Sequence, residues 1–142
     1  MTDAAFTPAP NRKRLTAGLC SASFVYGLVV ALLGVVEYPL SEKLGLTPSQ
    51  TSNFALFSFF PVLVMLFATG LLLEKVGKKI MIAGGSFLVG AALLLIGTGS
   101  SYDIICVGMV VLGIGAGGVN GGTNTMVTDL YPENPSRALN LV

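Results

Sequence analysis

The sequence contains no histidine, and only 11% of its 142 residues are charged. Histidine is the commonest general base and metal ligand, so its absence removes the usual centre of acid–base and metal-dependent chemistry. The few carboxylates form no pair typical of a catalytic cavity. We therefore expect neither an enzyme nor a metal site. The net charge of +1 gives no basic footprint for nucleic acid.

Charge is scarce because four long segments carry none. Soluble domains have about 25% charged residues. The uncharged segments are Leu15–Val36, Phe54–Leu73, Ile80–Tyr102 and Ile104–Thr128, each of at least 20 residues. That length allows a helix to cross a hydrocarbon core of about 30 Å. A chain this short has too much surface to bury four such segments in a soluble core, so the sequence predicts an all-α protein with four transmembrane helices.

The polar segments set the predicted organisation. Residues 1–14 form a tail, residues 15–130 hold the membrane helices, and residues 131–142 form a loop and the start of a fifth helix. The predicted helices span about 15–38, 52–73, 80–97 and 104–130. The first apolar run is longer than that of a signal peptide, so we expect it to be retained. The last stretch begins a new apolar helix and stops, which favours a fragment of a longer protein over a complete four-helix protein.

Basic residues predict the orientation. Seven of the eight Lys and Arg residues precede helix 1, lie between helices 2 and 3, or follow helix 4. These segments lie on one side if four helices alternate in direction, and only Lys43 lies on the other. Because basic loops stay inside, we expect a multi-pass protein of the cytoplasmic (inner) cell membrane, with both ends of this chain in the cytoplasm.

The segment GIGAGGVNGG, from Gly113 to Gly122, contains the pattern G-x-G-x-x-G of dinucleotide-binding turns. That turn joins a strand to a helix whose N-terminus holds the pyrophosphate. Here no separate strand precedes the glycines, and the uncharged run Ile104–Thr128 continues through them. We therefore interpret the segment as a glycine-rich apolar helix.

The small residues of this helix fall on two faces at 100° per residue. One face holds Gly113, Gly117, Asn120, Gly121, Asn124 and Thr128. The roughly opposite face holds Gly115, Gly118, Gly122 and Thr125. Small residues allow close approach between membrane helices, so two such faces predict a helix wedged between two neighbours.

The turn GLLLEKVGKK resembles the signature of the major facilitator superfamily, G-x-x-x-D-[RK]-x-G-[RK]-[RK]. The matching residues are Gly70, Lys75, Gly77, Lys78 and Lys79, and Glu74 stands where Asp is usual. The turn also lies where the family has it, between helices 2 and 3. The resemblance implies a secondary transporter. This chain would then be the first four of what are usually twelve helices, part of the N-terminal six-helix half.

Elementary chemistry gives three residues of this turn a role. Gly70 is a small residue that lets another helix approach. Glu74 is an anion at the membrane edge, able to face a helix N-terminus or a basic side chain. Gly77 permits a reversal too tight for most residues.

A gate at the cytoplasmic end is a further expectation. Asp129, at the end of helix 4, is a candidate partner for Lys75 or Lys78. Together with Glu74 these residues would form an inner charge cluster. The resemblance implies that such a cluster holds one conformation closed, and a surface ion pair without that role is the alternative.

The segment GIGAGGVNGGTNTMVTDL, followed by PENPSRALNL, looks like the fucose permease-like branch of the superfamily. That branch transports sugars and related polar metabolites, by alternating access around a site near the midplane. It has a protonatable carboxylate at the position of Asn120, and an amide cannot relay a proton. An efflux or organic-anion carrier is the alternative, although drug exporters carry an arginine before G-x-G that is absent here. A non-transporting four-helix scaffold is the alternative from another class.

Four residues are predicted to contact the solute. Asn120 and Asn124 carry amides that need partners or a wet cavity inside hydrocarbon; hydrogen bonds across a helix interface are the alternative. Tyr26 is expected to stack on a sugar ring or simply to pack. Glu37 is an intramembrane carboxylate for solute hydroxyls or a coupling proton, or else an exposed acid at the end of helix 1. We expect H⁺ or Na⁺ as the coupling ion and no other cofactor. The expected partners are the solute, the bilayer and the missing C-terminal helices.

Overall fold

The computed structural model describes residues 11–140, which form helices and no strand. The helices are α1 (Arg12–Leu44), α2 (Pro48–Val76), α3 (Lys78–Thr98), α4 (Tyr102–Leu130) and α5 (Pro135–Leu139). Helices α1 to α4 are long and apolar enough to cross a membrane, which confirms the predicted all-α class. Residues 1–10 of the predicted tail and residues 141–142 of the predicted fifth helix lie outside the described residues.

The four long helices extend beyond the predicted spans. Helix α1 begins at Arg12, so residues 12–14 belong to the helix and not to a tail, and it continues through Pro39 to Leu44. Hydropathy marks the part of a helix that hydrocarbon can hold, whereas capping groups decide where the helix ends. Pro39 removes one N–H from the ladder but does not end α1.

Local signals fix the junction of α1 and α2. Gly45 has the left-handed φ of 61°, and its N–H donates to the Glu42 carbonyl at 3.2 Å, which ends α1. Thr47 then caps α2: its hydroxyl accepts from the Gln50 N–H at 3.4 Å, and Gln50 Oε1 accepts from the Thr47 N–H at 3.0 Å. This reciprocal capping box, with Pro48 as the first helical residue, starts α2.

Gly77 alone joins α2 to α3. Its φ of 85° and ψ of 148° belong to a region that side-chain-bearing residues rarely adopt. Its N–H donates to the Leu73 carbonyl at 3.1 Å, and its carbonyl accepts from the Met81 N–H at 3.2 Å. The predicted tight reversal at Gly77 is confirmed.

Helix α4 is the central helix of the described chain. It has 14 buried residues, whereas α1 has two. Its backbone lies against α2 at Gly113, Gly117 and Gly121, and against α3 at Gly108, Gly115 and Gly122. A Cβ at Gly117 would be 2.6 Å from the Met65 Cβ of α2, so only glycine allows this spacing. The predicted wedge between two neighbours is confirmed, and the neighbours are α2 and α3.

Helix α1 packs on a third side of α4. Val29 joins a buried apolar cluster with Met109 and Leu112 of α4, and Leu19 packs on Val127 further along. The Leu19–Val127 contact lies toward the end that carries the Gly77 turn. We call this the basic end, because seven of the eight basic residues belong to it: Arg12, Lys13, Arg14, Lys75, Lys78, Lys79 and Arg137.

Candidate functional site

Tyr26 lies where α1, α2 and α4 pack together. Tyr26 is half-buried and lines a small cavity together with Ala116 of α4. Asn120 is one turn further along α4. It follows Ala116, which faces α1, by four residues and Gly117, which faces α2, by three residues, so its side chain lies near the same side of α4. One turn is about 5.4 Å, so Asn120 lies that far along α4 from a residue that shares a cavity with Tyr26.

Glu37 lies further from the basic end, in a cavity of about 120 Å³ between α1, α2 and α4. Ser58 and Met109 line the same cavity. The Glu37 side chain is half-buried, and α1 continues to Leu44 beyond it. Glu37 is therefore neither fully exposed nor at the last turn of α1, and its role as an intramembrane acid stays a prediction. Along α1, Glu37 is about 16 Å from Tyr26, so the two do not share one small pocket.

Asn120 and Asn124 form a pair along α4. Asn124 Nδ2 donates a hydrogen bond of 3.1 Å to Asn120 Oδ1. Among residues 11–140 the two amides therefore bond to each other rather than to a side chain of another helix. Within residues 11–140 the Asn120 Nδ2 group donates no hydrogen bond and the Asn124 Oδ1 atom accepts none. The pair thus presents a donor and an acceptor to whatever lies beside it.

The predicted contacts form a row and not a closed pocket. From Glu37 the row passes Tyr26 and Asn120 and reaches the exposed Asn124 toward the basic end. Small-molecule sites usually enclose about 300–1,000 Å³, well above the 120 Å³ beside Glu37. A larger pocket of about 710 Å³ lies between α2 and α4. Its lining residues are Leu56, Phe57, Phe60, Pro61, Val64, Met65, Val110 and Ile114, which offer no polar group to orient a polar solute.

Gly70 has open space beside its backbone. A Cβ placed on Gly70 would meet no atom within 4 Å, and the residue is exposed. Within residues 11–140 no helix approaches Gly70 closely, so the approach of another helix at this residue stays a prediction. The close approaches of α2 to α4 occur instead at the glycines of α4, because α4 presents its own backbone to α2.

Asp129 pairs with Lys78, one of its two predicted partners, at the basic end. The Lys78 side chain is 34% exposed and the Asp129 side chain 56% exposed. Among the described residues neither Lys75 nor Glu74 takes part in an ion pair, and both are exposed. The predicted charge cluster is therefore reduced here to one pair that ties the start of α3 to the end of α4.

A second polar contact at the basic end was not predicted. Arg12, in the first turn of α1, forms an ion pair with Glu133, and its guanidinium carbon lies 3.8 Å from the centre of the Tyr131 ring. The Tyr131 hydroxyl and Thr16 Oγ1 are hydrogen-bonded at 2.9 Å. The periodic patterns of a sequence describe single helices, so they do not indicate a contact between two residues that are 121 positions apart. The sequence indicates only that Arg12 and Glu133 have opposite charges and lie at the same predicted end of the helices.

The geometry defines a class of protein: a helical membrane protein with polar side chains along the clefts of its bundle. In a comparison with known protein families, residues 19–142 match the Major Facilitator Superfamily. The match covers most of the chain, and the chain belongs to this superfamily of transporters. No match was found among curated proteins or among solved structures. Within residues 11–140 no group of three metal-binding side chains comes together.

Proposed function

We propose that this protein carries out secondary active transport of a small polar solute, a sugar or a related metabolite, and that the chain supplies four helices of the transporter. Family membership supports the transport class. The finer assignment to sugars, and to the fucose permease-like branch, rests on the resemblance of the segment Gly113–Leu141 together with the polar side chains of α1 and α4.

The Asn120–Asn124 pair is the observation that carries the solute class. The pair offers an N–H donor from Asn120 and a carbonyl acceptor from Asn124. A sugar hydroxyl both donates and accepts, so it matches this pair better than an anion does, which only accepts. Tyr26 shares a cavity with Ala116, which lies one turn of α4 before Asn120, and it provides an aromatic surface for a sugar ring.

The row of polar groups is open because the proposed site is shared. The cavity volumes beside Tyr26 and Glu37 are too small for a complete site. We propose that further helices of the same protein form the opposite wall and that the solute binds between the two walls. Glu37 is then the group in the described row able to carry a coupling proton, since the amides of Asn120 and Asn124 cannot. Na⁺ coupling is the alternative.

The test is hexose uptake into proteoliposomes that contain the protein with all its transmembrane helices. We expect Asn120→Ala to weaken apparent hexose affinity about tenfold, which corresponds to the loss of roughly one good hydrogen bond. Asn53→Ala is the matched control, because Asn53 is also a half-buried amide but bonds to the Tyr102 hydroxyl at 3.3 Å. Equal affinity in the two variants would contradict the role of Asn120. No uptake of any hexose by the unmodified protein would contradict the solute class.

A further inference from the structure

The first turn of α1 is electrostatically unfavourable by itself. Arg12, Lys13 and Arg14 are basic, the turn contains no acidic residue, and Asn11 provides no side-chain cap. A helix N-terminus carries a partial positive charge, so cations there destabilise the helix and anions stabilise it. A negative charge placed beside this end of α1 therefore stabilises it.

Glu133 provides that charge from the turn after α4. Its carboxylate pairs with Arg12, and the hydrogen bond from Arg12 holds the pKa of the Glu133 carboxyl below its usual value. The contact has two more components. Tyr131 places its ring 3.8 Å from the guanidinium carbon, and its hydroxyl is hydrogen-bonded to Thr16 at 2.9 Å.

Helix α1 depends on such contacts more than the other long helices do. It has two buried residues, Leu19 and Val29, whereas α2 has three and α3 has four. Leu19 is the first of them, and it lies about two turns beyond Arg12. Between Arg12 and Leu19, the Thr16–Tyr131 hydrogen bond also ties α1 to the end of α4.

We propose that Arg12, Thr16, Tyr131 and Glu133 form a latch that holds the first turn of α1 in helical form against the turn after α4. When the latch opens, this turn of α1 unwinds and the chain before Thr16 separates from α4. The latch also fixes the position of α1 along α4, and with it the position of Tyr26 opposite Ala116. This inference is independent of the solute.

Trypsin provides a direct test, because it cleaves after Lys13 and Arg14 only where the backbone can leave the helix. The protein with all its helices, in detergent, is digested with a trace of trypsin, and cleavage at these two sites is followed by mass spectrometry. Cleavage after Lys43 in the same sample serves as the internal reference, because Lys43 is exposed and lies at the opposite end of α1. We expect Glu133→Gln to raise the relative initial rate about fivefold, the upper range for an exposed ion pair. Tyr131→Leu should raise it by a similar factor.

Asp129→Asn is the matched control, since it breaks the other ion pair of the basic end and leaves the latch intact. Its cleavage after Lys13 and Arg14 should equal that of the unmodified protein. If Tyr131→Leu does not fold, Tyr131→Phe keeps the ring beside Arg12 and should give a smaller increase. The inference is overturned if Glu133→Gln is cleaved at the unmodified rate, or if Asp129→Asn raises the rate equally.

Discussion

Gly85 of α3 and Gly115 of α4 pack backbone against backbone. A Cβ on Gly85 would lie 2.7 Å from the Gly115 carbonyl oxygen, and a Cβ on Gly115 would lie 2.8 Å from the Gly85 carbonyl oxygen. Each atom would therefore overlap the opposite backbone, which has no flexible side chain to move aside. The distance between α3 and α4 is set by the absence of two side chains.

Alanine at either position should destabilise the bundle. We expect Gly85→Ala and Gly115→Ala each to lower the free energy of unfolding by about 1–3 kcal/mol, because the helices must separate to admit the methyl group. Gly84→Ala is the control: it neighbours Gly85, and its Cβ would meet nothing within 4 Å. Alanine favours helix, so the control should be neutral or slightly stabilising. Circular dichroism during unfolding in mixed detergent micelles measures all three, and equal losses would contradict the packing argument.

Alanine at two glycines of the family signature should affect stability differently. Gly77→Ala places a side chain at a φ of 85°, and strain of that kind costs about 1–3 kcal/mol. Gly70→Ala adds a methyl group where nothing lies within 4 Å, so the stability of the 142-residue chain should not fall. The measurement is the midpoint of thermal unfolding of each purified variant. A loss at Gly70 as large as that at Gly77 would place an unseen contact at Gly70.

Asp129→Asn should have a small effect on stability. Both side chains of the Lys78–Asp129 pair are partly exposed, and such pairs contribute at most about 1 kcal/mol. Exchange of the two charges, Lys78→Asp with Asp129→Lys, should restore most of the loss. The loss should also disappear in about 1 M salt, where the screening length is near 3 Å. Glu74→Gln is the control without an ion pair, and the same loss in that variant would rule out a specific Lys78–Asp129 effect.

Acidification should open the contact between Arg12 and Glu133. The pKa of Glu133 is lowered in the folded protein from its ordinary value of 4.5, chiefly by the hydrogen bond from Arg12. A lowered folded-state pKa means that the stabilisation is complete above pH 4.5 and is lost as the pH falls through the lower, folded value. Hydrogen exchange of the amides of residues 15–19, corrected for intrinsic rates, should therefore accelerate below that pH. In Glu133→Gln the acceleration should be absent; its persistence would assign the effect to another carboxylate.

Short-range patterns made most of the fold predictable. The small residues of α4 recur on two faces, and that recurrence alone predicts a helix between two neighbours. Gly77 was also predictable, because a reversal between two apolar runs requires a residue that tolerates positive φ. In contrast, the end of α1 was not predictable from hydropathy. The helix continues past Pro39 because the left-handed Gly45 is the residue that ends it.

The sequence predicts which residues are candidates for the site, but it does not predict how they are arranged in space. An amide or carboxylate inside an apolar run is conspicuous in the sequence, and Asn120 and Glu37 were found that way. Their separation follows from how α1 crosses α4, which depends on packing between segments far apart in the chain. The same reason explains Arg12 and Glu133: each is an ordinary charge in its own segment, and only the folded bundle brings the two together.

The single-residue link at Gly77 gives the bundle a mechanical property. Helices α2 and α3 meet at this link but share few contacts, because α4 lies between them. With a rise of 1.5 Å per residue, α2 is about 43 Å long. A rotation of about 10° at Gly77 alone would displace the far end of α2 by roughly 7 Å. The close packing of α2 on the α4 backbone at Gly113, Gly117 and Gly121 opposes such a rotation, so a change in the backbone angles of Gly77 must carry α4 along with α2.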